Sequence, residues 1–160
     1  MGLKYGCITP NPKGREYPVA ASQFFSHTGG GFVYLDGSGH ITLALSATAT
    51  LKGYVEDPNG KGAGASDSYW KSSATAGADK LFVITDPDAE FLVPASTTVT
   101  DAMAGNVYDL IGVNDGTAQY VDLATSTTDM VAIVKKGSDY GGGTTDAVVK
   151  INPLKYQADT

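Results

Sequence analysis

Phe32-Val33-Tyr34-Leu35-Asp36-Gly37-Ser38-Gly39-His40-Ile41-Thr42-Leu43-Ala44-Leu45 is the stretch that decides the fold of this chain. A short apolar run leads into a turn of Asp, Gly, Ser and Gly, and strict alternation follows. In an extended strand Ile41, Leu43 and Leu45 share one face, while His40, Thr42 and Ala44 share the other. Gly37 and Gly39 supply the positive φ values that such a short loop requires. The stretch reads as a β-hairpin.

Moving outward, the same grammar recurs. Upstream, Gly29-Gly30-Gly31 marks a hinge or a close backbone approach. Downstream, Thr48 to Val55 reads as a strand ended by the turn Asp57-Pro58-Asn59-Gly60. Leu81-Phe82-Val83-Ile84 and Ala89-Glu90-Phe91-Leu92-Val93 flank the turn Asp86-Pro87-Asp88. Residues 100–105 predict one capped helical turn stopped by Gly105. Val107 to Val113 and Gln119 to Leu123 flank Asn114-Asp115-Gly116, a strong hairpin signal. Met130 to Val134 and Ala147 to Ile151 complete the set, and Pro153 closes it. Short strands at close spacing, without long helical patterns, predict an all-β fold: a short-stranded barrel or sandwich. The expected core is Phe32, Tyr34, Ile41, Leu43, Phe82, Ile84, Phe91, Leu110, Ile111, Val131, Ile133, Val149 and Ile151.

At 160 residues the chain fits one ordinary domain. Its first part differs from the rest. Residues 1–20 carry Lys4, Lys13 and Arg15 against Glu16 alone, in a chain of net charge -6. Pro10, Pro12 and Pro18 keep this stretch from forming a helix. The organisation expected is an extended N-terminal arm, 1–25, and a β-rich body, 26–160, subdivided near 60–68 into a hairpin region and a C-terminal barrel. Aromatic side chains favour burial, so an arm bearing them points to a partner's surface. The partner-binding candidates are Lys4, Tyr5, Lys13, Arg15, Tyr17, Phe24 and Phe25.

Composition excludes several classes. A pI near 4.6, with basic residues scattered singly apart from Lys135-Lys136, argues against direct nucleic-acid binding. No apolar run reaches membrane-spanning length, and Met1 to Gly6 lacks a secretory or myristoylation pattern. The single cysteine, Cys7, rules out an intramolecular disulfide and reads as a small, buried or half-buried side chain.

Motifs for catalysis are weak. No G-x-S-x-G elbow accompanies His27 or His40, and His40 reads as an ordinary strand-end residue. Gly60-Lys61-Gly62-Ala63-Gly64-Ala65-Ser66 fails the spacing of a phosphate loop. Asp86, Asp88 and Glu90 alternate, as oxygen ligands or an acid-base pair would, but a solvated turn is the simpler reading. Trp70 with Tyr69 and Asp67 suggests a stacking platform for a glycan, the alternative function of a host-adhesion module. The reading is a non-enzymatic protein with no catalytic residues, no metal and no cofactor.

Gly31 to Asp36, Tyr69 to Ser73, Leu81 to Pro87, Tyr108 to Thr117 and the ending Val149-Lys150-Ile151-Asn152-Pro153 carry a resemblance. From about residue 18 onward the chain resembles the decoration (cement, or capsid-stabilising) proteins of tailed double-stranded DNA bacteriophages. The resemblance implies a virion structural protein, made in the host cytoplasm, that adds to the outside of the assembled head. Its partner would be the major capsid protein, and its state a homotrimer at three-fold positions. That role carries no catalytic residues, and neither membrane nor nucleic acid enters it.

Overall fold

The computed structural model describes residues 5–46, 48–58 and 68–157. Its strands in chain order are β1 (Gly6–Cys7), β2 (Gly14–Pro18), β3 (Phe24–Ser26), β4 (Gly31–Leu35), β5 (Ile41–Leu43), β6 (Gly53–Val55) and β7 (Tyr69–Lys71). They continue with β8 (Lys80–Ile84), β9 (Phe91–Pro94), β10 (Val107–Ile111), β11 (Tyr120–Asp122), β12 (Val131–Lys136) and β13 (Asp146–Ile151). The fold is all-β, as expected, with antiparallel ladders throughout. The hairpin forms as β4 and β5, with Val33 opposite Leu43 and Leu35 opposite Ile41. Of its two turn glycines only Gly39 takes a positive φ, 80°.

Two larger sheets build the body. One runs β2-β8-β6-β4-β5 and the other β1-β9-β13-β12-β10-β11. Each curls until its far side returns to its near side through one parallel bridge, Val19 to Ile41 in the first and Ala95 to Val121 in the second. Neither bridge extends into a ladder, so there is no closed barrel and the body is sandwich-like. β3 and β7 form a separate two-stranded ribbon.

Side-chain alternation makes the five-stranded sheet a wall between two cores. Val33, Val55 and Val83 point to one side, where Tyr17, Val19, Phe25, Ile41 and Leu43 join them. Their strand neighbours Phe32, Tyr54 and Ile84 point to the other side and enter the larger core with Phe91, Leu110, Val131, Ile133, Val149 and Ile151. Rings of Phe32, Tyr54 and Phe91 meet across the two sheets at centroid separations of 4.8, 5.3 and 4.7 Å. At the start of β4 the backbones come so close that a Cβ on Gly30 would lie 1.9 Å from the Val55 carbonyl oxygen. Only glycine fits there, and its φ of 67° suits glycine as well.

Three expected core residues depart from the expectation. Phe82 is 51% exposed, lying at the margin of its sheet with its ring over Gly14, while Tyr34 and Ile111 are half-buried. The turn at 100–105 is present as a 3-10 turn, Asp101–Met103, but the Thr100 side chain does not cap it.

The expectation of a separate arm is corrected. Residues 5–26 do not stand apart from the body: bends near Asn11 and Ser22 separate β1, β2 and β3, which each enter a different sheet, pairing with β9, β8 and β7. Prolines block helix without blocking edge strands, because an edge residue has one side free of ladder bonds. The expected subdivision near 60–68 lies almost wholly outside the described residues.

Candidate interaction surface

The β3–β7 ribbon is where expected partner-binding residues and exposed apolar surface meet. Its register sets Phe24 opposite Lys71, Phe25 opposite Trp70 and Ser26 opposite Tyr69. Alternation then sorts the side chains by face. Phe25 is fully buried and Trp70 packs beside it at 6.1 Å, both on the smaller core. On the outward face Phe24 and Tyr69 meet edge to face at 4.8 Å, and the Lys71 ammonium lies 5.2 Å from the Phe24 ring centre.

A turn from the other sheet braces this face. The Phe24 N–H donates to Asn114 Oδ1 at 2.8 Å, and Asn114 Nδ2 donates to the Ser22 carbonyl at 3.1 Å. Gly116 follows against the Tyr69 ring, so close that a Cβ would sit 2.6 Å from it. The hairpin signal at 114–116 thus does a second job that its sequence did not announce. Beneath, the Gln23 N–H donates to Ser72 Oγ at 2.7 Å, and that hydroxyl donates to the Ala20 carbonyl at 2.8 Å. The finished face presents Tyr69, 40% exposed, beside the exposed Lys71 and half-buried Phe24.

The other candidates scatter. Lys13 and Arg15 are exposed on or beside the edge strand β2, and the Arg15 guanidinium lies 4.9 Å from the centre of the Tyr17 ring. Tyr17 itself is buried, as is Phe25, so neither side chain is presented to a partner, which corrects that expectation for both. Tyr5 is half-buried and donates from its hydroxyl to Asp146 Oδ1 at 2.8 Å, which joins the first described residue to the last strand. Burial, reinforced by that bond and by the carboxylate's charge, pushes the Tyr5 phenol up to about 12. Lys4 lies outside the described residues.

The rival chemistries fare differently. Tyr69 and Trp70 are successive residues of one strand and face opposite sides, so they do not make one stacking platform. Asp67 is outside the described residues. Asp86 accepts from the Asp88 N–H at 3.0 Å and from the Lys13 N–H at 3.4 Å, a closed turn in which the carboxylate is already used. Among the described residues no three His, Cys, Asp or Glu side chains gather as metal ligands.

Sequence reading missed one buried pair. His27 Nδ1 and Asp57 Oδ1 are 2.7 Å apart and both side chains are 2% exposed. The backbone N–H of His27 also donates to the Ser68 carbonyl at 3.1 Å. One residue therefore holds the chain at both ends of the segment that follows Asp57. Thirty positions separate the partners, and no local pattern links them.

Comparisons with protein-family models, with curated proteins and with solved structures return no match.

Proposed function

We propose that this chain is a non-enzymatic virion protein that binds the outside of a phage head and stabilises it by bridging major capsid subunits. The observation that carries the reading is the outward face of the β3–β7 ribbon. An exposed tyrosine and an exposed lysine stand together on the ribbon, which Asn114 ties to the six-stranded sheet and Gln23, accepting from the Leu43 N–H, ties to the five-stranded one. Aromatic anchors flanked by a cation are the residue types that dominate protein–protein contacts. Lys13 and Arg15 on the β2 edge add positive charge to an otherwise acidic chain, suited to an acidic capsid surface. Attachment at many lattice points tolerates weak single contacts.

The test is co-sedimentation of the purified protein with empty, expanded heads of the cognate phage, followed by a melt of those heads. Binding should saturate and raise the melting temperature of the shell. Lys71→Glu, at an exposed position of that face, should weaken binding on the order of tenfold while the protein's own melt stays put. Heads that neither bind the protein nor melt higher would sink the proposal.

A further inference from the structure

A cavity of about 10 Å³ lies at the start of β4, lined among others by Tyr5, Gly29, Gly30, Phe32, Tyr54 and Gln119. That is the space of a single water molecule. Tyr54 makes it more than a packing gap. Its ring sits against Phe32 and Phe91 in the larger core, and the residue is only 3% exposed. Its hydroxyl is aimed out of that apolar cluster toward Gly29. A Cβ on Gly29 would lie 3.4 Å from the Tyr54 oxygen and 2.7 Å from Tyr5 Cβ. Tyr5, Gly29 and Tyr54 all line the cavity, so the hydroxyl stands at its wall.

Among the described residues no group hydrogen-bonds that hydroxyl. Burial, with the Glu56 carboxylate second, pushes the Tyr54 phenol well above its ordinary value, so the oxygen keeps its proton and needs an acceptor. A buried hydroxyl without a partner is costly, and native folds satisfy such groups with protein atoms or with ordered water.

The rest of the wall says which ligand fits. Glycines can line a cavity only with backbone, and the Gly29 and Gly30 N–H groups are already given to the Ser26 carbonyl. What these two have left to offer is carbonyl oxygen. Gln119 Oε1 takes the Phe32 N–H and retains a second lone pair. The site therefore supplies one hydroxyl donor on one wall and oxygen acceptors on another. A cation could not accept from the hydroxyl, and an anion could not donate to the oxygens. Water does both.

We infer that this cavity is a binding site for one internal water molecule, which accepts a hydrogen bond from the Tyr54 hydroxyl and donates to the oxygens of the opposite wall. The water joins residues 5, 29–30, 54 and 119, which no local pattern brings together. The site does not rest on the capsid reading and stands whether or not heads are bound.

A high-resolution crystal structure of the full chain tests it, together with oxygen-17 relaxation dispersion in solution on wild type and Tyr54→Phe. The crystal should show one water about 2.5–3.0 Å from Tyr54 Oη. The dispersion should count one fewer long-lived water in Tyr54→Phe than in wild type. That variant keeps the ring and its packing, and a thermal melt checks that it is folded. Should it fail to fold, the wild-type density decides alone. Absence of density at the site, a Tyr54 hydroxyl bonded directly to a protein atom, or equal water counts in the two folded proteins would each overturn the inference.

Discussion

The carboxamide of Gln119 takes the place of a peptide group beside Phe32. Its Oε1 accepts from the Phe32 N–H at 2.6 Å, and its Nε2 donates to the carbonyls of Phe32 at 3.1 Å and Ala44 at 2.9 Å. β5 pairs with β4 only from Val33 onward, so the Phe32 N–H would otherwise be buried without a ladder partner. Gln157 does the same at the other end of β4, accepting from the Leu35 N–H at 2.8 Å and donating to its carbonyl at 3.1 Å. Both glutamines come from sequence far downstream, so these bonds hold distant segments to β4.

Replacing Gln119 with leucine should therefore cost about 3 kcal/mol, because the buried Phe32 N–H and the Ala44 carbonyl lose their side-chain partner at once, while the Phe32 carbonyl keeps the Ala44 N–H. Gln157→Leu, at a half-buried site, should cost less. Urea denaturation of the two variants beside wild type measures both. A Gln119→Leu loss under about 0.5 kcal/mol, the range of an ordinary surface change, would contradict the peptide-surrogate role.

Asp109 predicts a response to acid. Its Oδ1 accepts from the N–H groups of Thr127, Thr128 and Asp129 at 2.8, 2.7 and 2.9 Å. Burial alone would raise this carboxyl, but the bonds from Asp129 and Thr128 outweigh it and hold it below the ordinary carboxylate value. With the folded value depressed, the contribution is full above the unfolded pKa of about 3.9 and is lost as pH falls through the folded value. Asp109→Asn should be less stable than wild type at neutral pH, and the gap should narrow as pH falls below about 4. A gap that stays constant on acidification would show that Asp109 acts by shape alone.

Tyr5 predicts the opposite end of the scale. Its phenol ionises at about 12 in the fold, against about 10 in an unfolded chain. The neutral form is the one the fold prefers, so its contribution is whole below about 10 and drains away as pH climbs toward the folded value. Tyr5→Phe should lose the bond to Asp146 at neutral pH yet lose less further stability in alkali. Phenolate absorbance during a pH titration would register the missing late step. Identical alkaline profiles for variant and wild type would rule the linkage out.

Two glycines provide a matched contrast. Gly30→Ala would drive a methyl group into the Val55 carbonyl at a positive φ, and should cost about 3 kcal/mol or more. Gly37, in the exposed hairpin turn, has nothing within 4 Å of its Cβ position. Gly37→Ala should shift stability by no more than about 0.5 kcal/mol. Thermal melts of the pair decide it, and equal effects would mean that the close approach of β4 to β6 is misplaced.

Alternation and turn chemistry were legible along the chain because they depend on residues within a few positions of one another. Ile41 and Leu43 on one side, the hairpin turn at 36–39 and the turn at 114–116 all follow from that local rule. Residues 5–26 were not legible in the same way. Extended segments rich in proline look alike whether they reach outward or lie at a sheet edge. The difference for Tyr17 and Phe25 is made by Leu81 and Trp70, their cross-strand neighbours more than forty positions away.

The interaction surface divides along the same line. Phe24 was named from its residue type, but its neighbours Tyr69, Lys71 and Asn114 were gathered only by folding. Phe82 stands in the unbroken apolar run Leu81 to Ile84, where no alternation tells the inward face from the outward one. Its exposure reflects where the opposing sheet ends, which no run of five residues encodes.

By itself, then, the sequence determined that the chain is all-β, where most strands begin and turn, and that glycine and proline punctuate them. Backbone preference and a two-residue period are local forces, written residue by residue. The tertiary structure alone decided that one sheet separates two cores, that β1 and β2 take the sheet edges and that glutamine carboxamides complete the hydrogen bonding of β4. Those outcomes depend on which distant segments share the same buried volume, where every polar backbone group must find a partner.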